Sequence, residues 1–369
     1  MKRKIKVMTV FGTRPEAIKM APLVLELQKQ NDSFETTVVV TAQHREMLDQ
    51  ILETFEITPD YDLNIMGKNQ TLADITTNVL TKLDPIIKEV KPDIVLVHGD
   101  TSTTFVASLA AYYNQVKVGH VEAGLRTHNK YSPFPEELNR QLTGVIADIH
   151  FAPTEQAKQN LLIENKTPET IFVTGNTVID ALKTTVSDER KLTNTDTRTI
   201  LVTVHRRENL GENMRHIFSS IKRLVETHTD IEVVYPVHLN PKVQEIANEI
   251  LGNHDRIKLI APLDVIDFHN LMAESYLVMT DSGGLQEEAP SFGVPVIVLR
   301  DTTERPEGVE AGTLKLAGTN EADIYNIANE LLTDTAKYNG MSEVKNPYGD
   351  GKASQRIAKI IKESFETQL

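Results

Sequence analysis

Three carboxylates in this chain stand where short apolar runs end. Asp100 closes Val97-His98-Gly99-Asp100, Glu122 follows Gly119-His120-Val121, and Glu136 opens a helical stretch after Ser132-Pro133-Phe134-Pro135. A carboxylate directly after an apolar run and close to Gly124 is poor packing material and good acid/base material. Asp100 taken alone could equally cap the helix that follows it. Glu136 and Arg140 share a helix face at i, i+4, which by itself could be a plain surface ion pair.

Cations and glycines point to an anion. Phe11-Gly12-Thr13-Arg14-Pro15-Glu16 combines a turn glycine, a Thr13/Glu16 capping box and a proline suited to the first helical turn. Arg14 and Lys19 then lie beside a helix N-terminus, where positive charge is unfavourable unless an anion meets it. His205-Arg206-Arg207 gathers three possible cations at another strand end, and His238 closes a further one. Thr280-Asp281-Ser282-Gly283-Gly284 runs from a strand into a helix, so backbone N–H groups can approach an anion. The helix dipole contributes only ~0.3–1 kcal/mol per exposed charge. A tightly held diphosphate therefore also needs side-chain cations, and Arg305 lies on a following loop. Glu288, about a turn into that helix, could accept hydrogen bonds from ribose hydroxyls.

These residues need strands to bring them together, and the sequence supplies two series. Lys6–Phe11, Thr37–Thr41, Asp93–His98, Lys117–Val121, Ile149–Ala152 and Ile171–Thr174 form the first. Ile200–Val204, Glu232–Val237, Ile257–Ile260, Tyr276–Thr280 and Val294–Leu299 form the second. Several are continuous apolar runs, as strands buried on both faces are, and helical stretches alternate with them. The fold class is α/β, with parallel sheets. The expected domains are 1–175 and 176–354, with an amphipathic helix in 355–369 that packs back on the first. Ligands of such sheets bind beyond the carboxyl ends of the strands. Two domains facing one another would place those ends across a central cleft.

Bulk properties narrow the ligand. The chain has 369 residues, no cysteine and a formal net charge of −13. That charge disfavours nucleic acid as a partner. Without cysteine, thiolate catalysis and cysteine-held metals are excluded. His98, His120, His205 and His238 lie near strand ends but not at the helical i, i+4 metal spacing, so no metal and no cofactor is expected. G-x-G-x-x-G and Walker A patterns are missing, which disfavours dinucleotide dehydrogenases and P-loop enzymes. No run reaches the ~20 apolar residues of a membrane span. Val7–Phe11 is too short for a signal segment, so a cytoplasmic location is expected.

Taken together, the segments resemble the bacterial non-hydrolysing UDP-N-acetylglucosamine 2-epimerases. The resemblance rests on FGTRPEAIKMAPL at 11–23, TAQHR at 41–45, VHGDTSTT at 97–104, GHVEAGLRT at 119–127 and PEELNRQLTG at 135–144. It continues through HRREN at 205–209, TDSGGLQEEAP at 280–290, RDTTERPE at 300–307 and NPYGDG at 346–351. It implies two Rossmann-like domains in the GT-B architecture and reversible conversion of UDP-GlcNAc to UDP-ManNAc. The route it implies is anti elimination of UDP through 2-acetamidoglucal and readdition, supplying ManNAc for cell-surface polysaccharide.

The resemblance assigns residues as well. Ser282, Gly283, Gly284, Glu288, His205 and Arg305 contact UDP, Phe268 lines the uracil pocket, and Arg14 and Lys19 reach across from the first domain. Asp100, Glu122 and Glu136 are the acid/base candidates, supported by Arg140 and His205. A second UDP-GlcNAc is implied as activator at Gln43, Glu136, Arg206 and His238. Glu46 and Asn69 depart from the Gln and Arg common in relatives. A homodimer is implied too. A UDP-sugar glycosyltransferase of the same fold and a hydrolysing epimerase are the competing readings.

Overall fold

The computed structural model describes residues 3–42, 45–67, 70–187 and 197–366. They form two compact units. One holds the chain up to Thr184 together with the segment from Tyr348 on, and the other holds Thr185–Pro347.

The sheet of the first unit contains β1 (Ile5–Phe11), β2 (Phe34–Val40), β3 (Tyr61–Asp62), β4 (Ile94–His98), β5 (Lys117–Val121), β6 (Ile149–Ala152) and β7 (Ile171–Val173). Its order is β3-β2-β1-β4-β5-β6-β7, and every pairing is parallel. The second unit carries β8 (Arg198–Thr203), β9 (Ile231–Pro236), β10 (Ile257–Ile260), β11 (Leu277–Thr280), β12 (Val296–Val298) and β13 (Leu314–Leu316). Its order is β10-β9-β8-β11-β12-β13, again parallel. Both sheets are doubly wound, and strand order reverses between β1 and β4 and between β8 and β11. Ligands of this fold bind at such switch points. The turns that leave β1, β4, β8 and β11 carry Arg14, Asp100, His205 and Ser282.

Apolar residues at helical spacing seal the sheets. The helix Glu212–Thr227 buries Met214, Ile217, Phe218, Ile221, Leu224 and Val225, a period-3.6 stripe. That stripe joins Ile200, Val202, Val233 and Tyr235 in the second core. In the first unit Met8, Val10, Val95 and Val97 pack with Val106 and Ala110 of the helix Ser102–Tyr113. Among the described residues no helix is long and apolar enough to cross a membrane.

Two expectations need correction. The junction placed near Gly175 moves, because the helix Thr177–Thr185 belongs with the first unit up to Thr184. The reason is long-range. Asp180 accepts the backbone N–H of Ala353 at 3.1 Å and of Ser354 at 2.8 Å, so it caps the helix Ala353–Glu366. Asn176 N–H bonds the Tyr348 carbonyl at 2.7 Å, so the chain rejoins the first unit at Tyr348, before residue 355. Strands β3 and β13 were also not foreseen. Two and three residues at the sheet edges are too short to show a period.

Candidate functional site

In the first unit, the β1 turn is organised by a buried carboxylate. Thr13 caps the helix Arg14–Lys29 with the full capping box. Glu16 accepts from the N–H of Gly12 at 3.1 Å and of Thr13 at 2.8 Å. Thr101 and Thr104 donate their hydroxyls to its other oxygen at 2.6 and 3.2 Å. Burial pushes Glu16 upward, against the hydrogen bonds from Thr101, Thr13 and Gly12. The turn bearing Arg14 is thereby tied to the turn bearing Asp100.

Asp100 takes an ion pair from Arg140 Nη2 at 2.7 Å, and Asn139 Nδ2 bonds its carbonyl at 3.0 Å. Burial raises its pKa first; Arg140 opposes, and the charges of Glu122 and Glu136 add to the rise. Glu122 follows β5 with φ of 60°, a left-handed backbone that a glutamate adopts at a cost of roughly 1–2 kcal/mol. Strain of this kind gathers at functional sites. The neighbouring Gly124 is needed for a different reason. A Cβ there would meet the Ala157 carbonyl oxygen at 2.2 Å. Glu122 Oε2 accepts from Lys19 Nζ and from Asn176 Nδ2, the latter at 2.8 Å. His98 Nε2 stands 3.9 Å from the same oxygen, and burial holds that imidazole down at about 4, hence neutral.

The surface ion pair that the Glu136/Arg140 spacing allows does not form among the described residues. Arg140 turns to Asp100 and, at 3.6 Å, to Glu137. Glu137, not Glu136, is the structural acid of that helix. It is fully buried and accepts from Thr127 N, His128 N and Gln141 Nε2 at 3.0 to 3.1 Å. Glu136 stays half-buried at the helix N-terminus.

In the second unit, a fully buried Asp281 organises the turn after β8. It accepts from His205 N at 3.0 Å, Arg206 N at 2.9 Å and Asn209 Nδ2 at 3.0 Å. His205 Nδ1 stands 3.6 Å from Oδ1 of the same carboxylate, and its ring stacks on His238 at 5.3 Å and 12°. Burial lowers the His205 pKa; Asp281 opposes, and His238 and Arg206 act with burial. So the three-cation reading of His205-Arg206-Arg207 weakens. Arg206 faces Glu304 at 3.5 Å, and His205 leans on Asp281.

Ser282 occupies the N-cap position of the short helix Gly283–Glu288 without a side-chain capping hydrogen bond. Gly283 lies against Arg305: a Cβ there would sit 2.7 Å from Arg305 Nη1 and 2.9 Å from Glu304 Oε1. Any larger residue would displace the arginine. Arg305 is held by Glu287 at 2.6 Å and Glu304 at 2.7 Å. Burial raises Glu304, yet Arg305 and Arg300 with their hydrogen bonds outweigh it and bring it to about 2. Glu288 sits 3.4 Å from His269 Nε2, whose Nδ1 meets Thr185 Oγ1 at 2.7 Å. Phe268 precedes that histidine and is half-buried. Gln43 and Asn69 lie outside the described residues, as does the side chain of Glu46.

Sequence reasoning did not name Asn176, Glu137, Asp281, Glu287 or Glu304 as working residues. Asp281 did carry a signal. It stands at the carboxyl end of a buried strand, immediately before the Ser-Gly-Gly turn.

Two doubly wound units with polar groups gathered at their switch points define an enzyme of the two-Rossmann α/β class. The UDP-N-acetylglucosamine 2-epimerase family model matches residues 26–362. A Bacillus subtilis UDP-N-acetylglucosamine 2-epimerase is 65% identical, covering 97% of this chain and 95% of its own. The S. aureus MnaA–UDP co-structure superposes with a TM-score of 0.88 at 59% identity, covering 98% and 97% of the two chains. A Neisseria meningitidis UDP-GlcNAc 2-epimerase bound to UDP-GlcNAc gives 0.89 at 50% identity, covering 97% and 100%. The chain belongs to the UDP-N-acetylglucosamine 2-epimerase family.

Proposed function

We propose that this enzyme interconverts UDP-GlcNAc and UDP-ManNAc without hydrolysis, by eliminating and readding UDP. The carrying observation is the pair of carboxylates at the ends of neighbouring strands, Asp100 after β4 and Glu122 after β5, in unlike surroundings. Glu122 is met by two donors and so serves there as an acceptor. Asp100 is pushed toward its protonated form. Two carboxyl groups whose environments separate them in this way make an acid and a base from one residue class.

The chemistry needs both. The C2–H of the sugar is not next to a carbonyl, so simple deprotonation is very unfavourable. As the C1–O bond breaks, its electron pair leaves with UDP and C2–H becomes acidic. A carboxylate takes that proton, and 2-acetamidoglucal forms. A proton returned to C2 on the other face, with UDP readded at C1, gives the epimer. Glu136, half-buried at its helix N-terminus, is the third carboxylate in this scheme, and Arg140 holds Asp100. His205 and Arg305 place positive charge or donors on the leaving diphosphate, and Arg14 and Lys19 are assigned to the same charge. Ser282, Gly283 and Gly284 offer backbone N–H groups to it. Glu288 takes the ribose and Phe268 the uracil. In relatives, the S. aureus structure contains UDP and the N. meningitidis structure contains UDP-GlcNAc, which supports this ligand class.

The test is incubation with UDP-GlcNAc alone in D2O, followed by NMR. UDP-ManNAc carrying deuterium at C2, formed without an acceptor or added metal, is the expected product. Free ManNAc would replace this reading with the hydrolysing one, and unchanged substrate with a transferase. The same reading includes a second UDP-GlcNAc near Arg206 and His238, and a homodimer. A sigmoidal rate dependence on UDP-GlcNAc and a two-chain mass in light scattering are expected. A hyperbolic curve or a single-chain mass would remove the corresponding element.

A further inference from the structure

Asp281 has no part in the scheme above, yet it is deeply engaged in the second unit. It is fully buried at the end of β11, next to the switch point, and draws three donors from the turn after β8. Asn209, one of those donors, also bonds the Leu299 carbonyl at 3.2 Å, so the turn is anchored on both sides. The two backbone bonds fix where His205 starts. The 3.6 Å approach of Oδ1 to His205 Nδ1 then bears on the ring itself. Stacking on His238 sets the ring plane. We infer that Asp281 is the positioning residue of His205: it holds the proton on Nδ1 and leaves Nε2 for the diphosphate. This rests on the proposed role of His205 at the leaving group.

The electrostatics follow from the groups around the ring. Asp281 from the end of β11 favours the imidazolium. His238 from the turn after β9, and Arg206 beside His205, disfavour it, as does burial. The Tyr235 hydroxyl, also in this region, is committed to the Val204 carbonyl at 2.6 Å. Asp281 is thus the one negative neighbour among the described groups that bear on His205. In its charged form His205 donates from Nε2 to a diphosphate oxygen, while the Asp281 carboxylate faces Nδ1 as a charge from 3.6 Å. An aspartate that orients an imidazole and stabilises its charged form acts through geometry and charge together. The sign is fixed. Asp281 raises the His205 pKa, so removing it lowers that pKa, and activity that needs the charged ring fails at lower pH.

Two measurements decide the matter. Imidazole 15N shifts of the native protein, assigned with His205→Asn, are expected to show Nδ1 protonated in the neutral ring. The reverse tautomer overturns the inference, and this readout does not depend on turnover or on how an Asp281 variant folds. In Asp281→Asn, kcat is expected to fall on the order of 10²-fold, and its alkaline limb to move to lower pH, while UDP affinity holds within about threefold. In a His205→Asn background the same change should add less than about twofold. Equal losses in both backgrounds, or UDP affinity lost in step with kcat, mean a scaffold role and overturn it. If the native enzyme shows no exchange at C2, the functional reading fails instead, and the tautomer still decides this one.

Discussion

Glu122→Gln is expected to cut the interconversion by ~10²–10⁴-fold while UDP affinity stays within about threefold. The substitution keeps size and removes only the capacity to take a proton. Its surroundings make it a demanding test. Glu122 is nearly buried and accepts from both Lys19 and Asn176. Both donors meet the same oxygen, so a glutamine can place its amide oxygen there, but Lys19 loses the carboxylate charge it pairs with. Some local loosening will follow, so a second variant separates geometry from chemistry. Glu122→Asp keeps the charge and is better suited to the left-handed backbone at φ 60°. It retracts the carboxylate by one methylene. Wild-type exchange of C2–H for deuterium in Glu122→Gln would remove this residue from the acid/base set. A slow but measurable Glu122→Asp beside an inactive Glu122→Gln would place the lost function in the carboxylate. UDP affinity is the control because Ser282, Glu288 and Arg305 belong to the other compact unit.

Where sequence and structure agree, the signal was local. The apolar runs that became β4, β5 and β6 are buried along their length apart from Lys117, and a strand buried on both faces reads as such without knowledge of its neighbours. The Thr13/Glu16 capping box spans three residues and formed as spaced. Where they differ, the deciding partner is far away in sequence. Asp281 meets His205 across 76 residues, and Asn176 meets Glu122 across 54. Arg140 had Glu136 at i, i+4, yet the tertiary position of Asp100 and the adjacent Glu137 claimed it. Helical spacing identifies which pairs can meet on a surface, but not which partner a folded unit brings closer. The same limit moved the junction from Gly175. Asp180 belongs with Ala353 and Ser354, a contact over more than 170 residues that no compositional shift announces. His205-Arg206-Arg207 shows the same dependence on distant partners. Three cationic side chains in a row suggested an anion site, but one is pushed toward neutrality by burial and another faces Glu304.

Arg305→Lys is expected to lower UDP affinity by roughly 10- to 100-fold, although formal charge is unchanged. Arg305 is gripped from two sides, by Glu287 through Nε and by Glu304 through Nη1. A guanidinium presents five donors in a fixed plane, so it can satisfy two carboxylates and still address a phosphate. An ammonium is a single point of charge and must choose. Glu287 is almost wholly buried, and Glu304 is kept ionised by Arg305 and Arg300. Both carboxylates therefore compete with the ligand for whatever cation stands at 305. The lysine is expected to settle on them. Calorimetric titration with UDP measures the loss, and a thermal melt gives the structural part. Weakening a buried charge pair costs up to ~3–5 kcal/mol when one partner is removed outright, so Arg305→Ala should melt well below Arg305→Lys. UDP binding at wild-type strength in Arg305→Lys would mean that Arg305 only neutralises Glu287 and Glu304. The diphosphate would then depend on the backbone of the Ser-Gly-Gly turn and on His205.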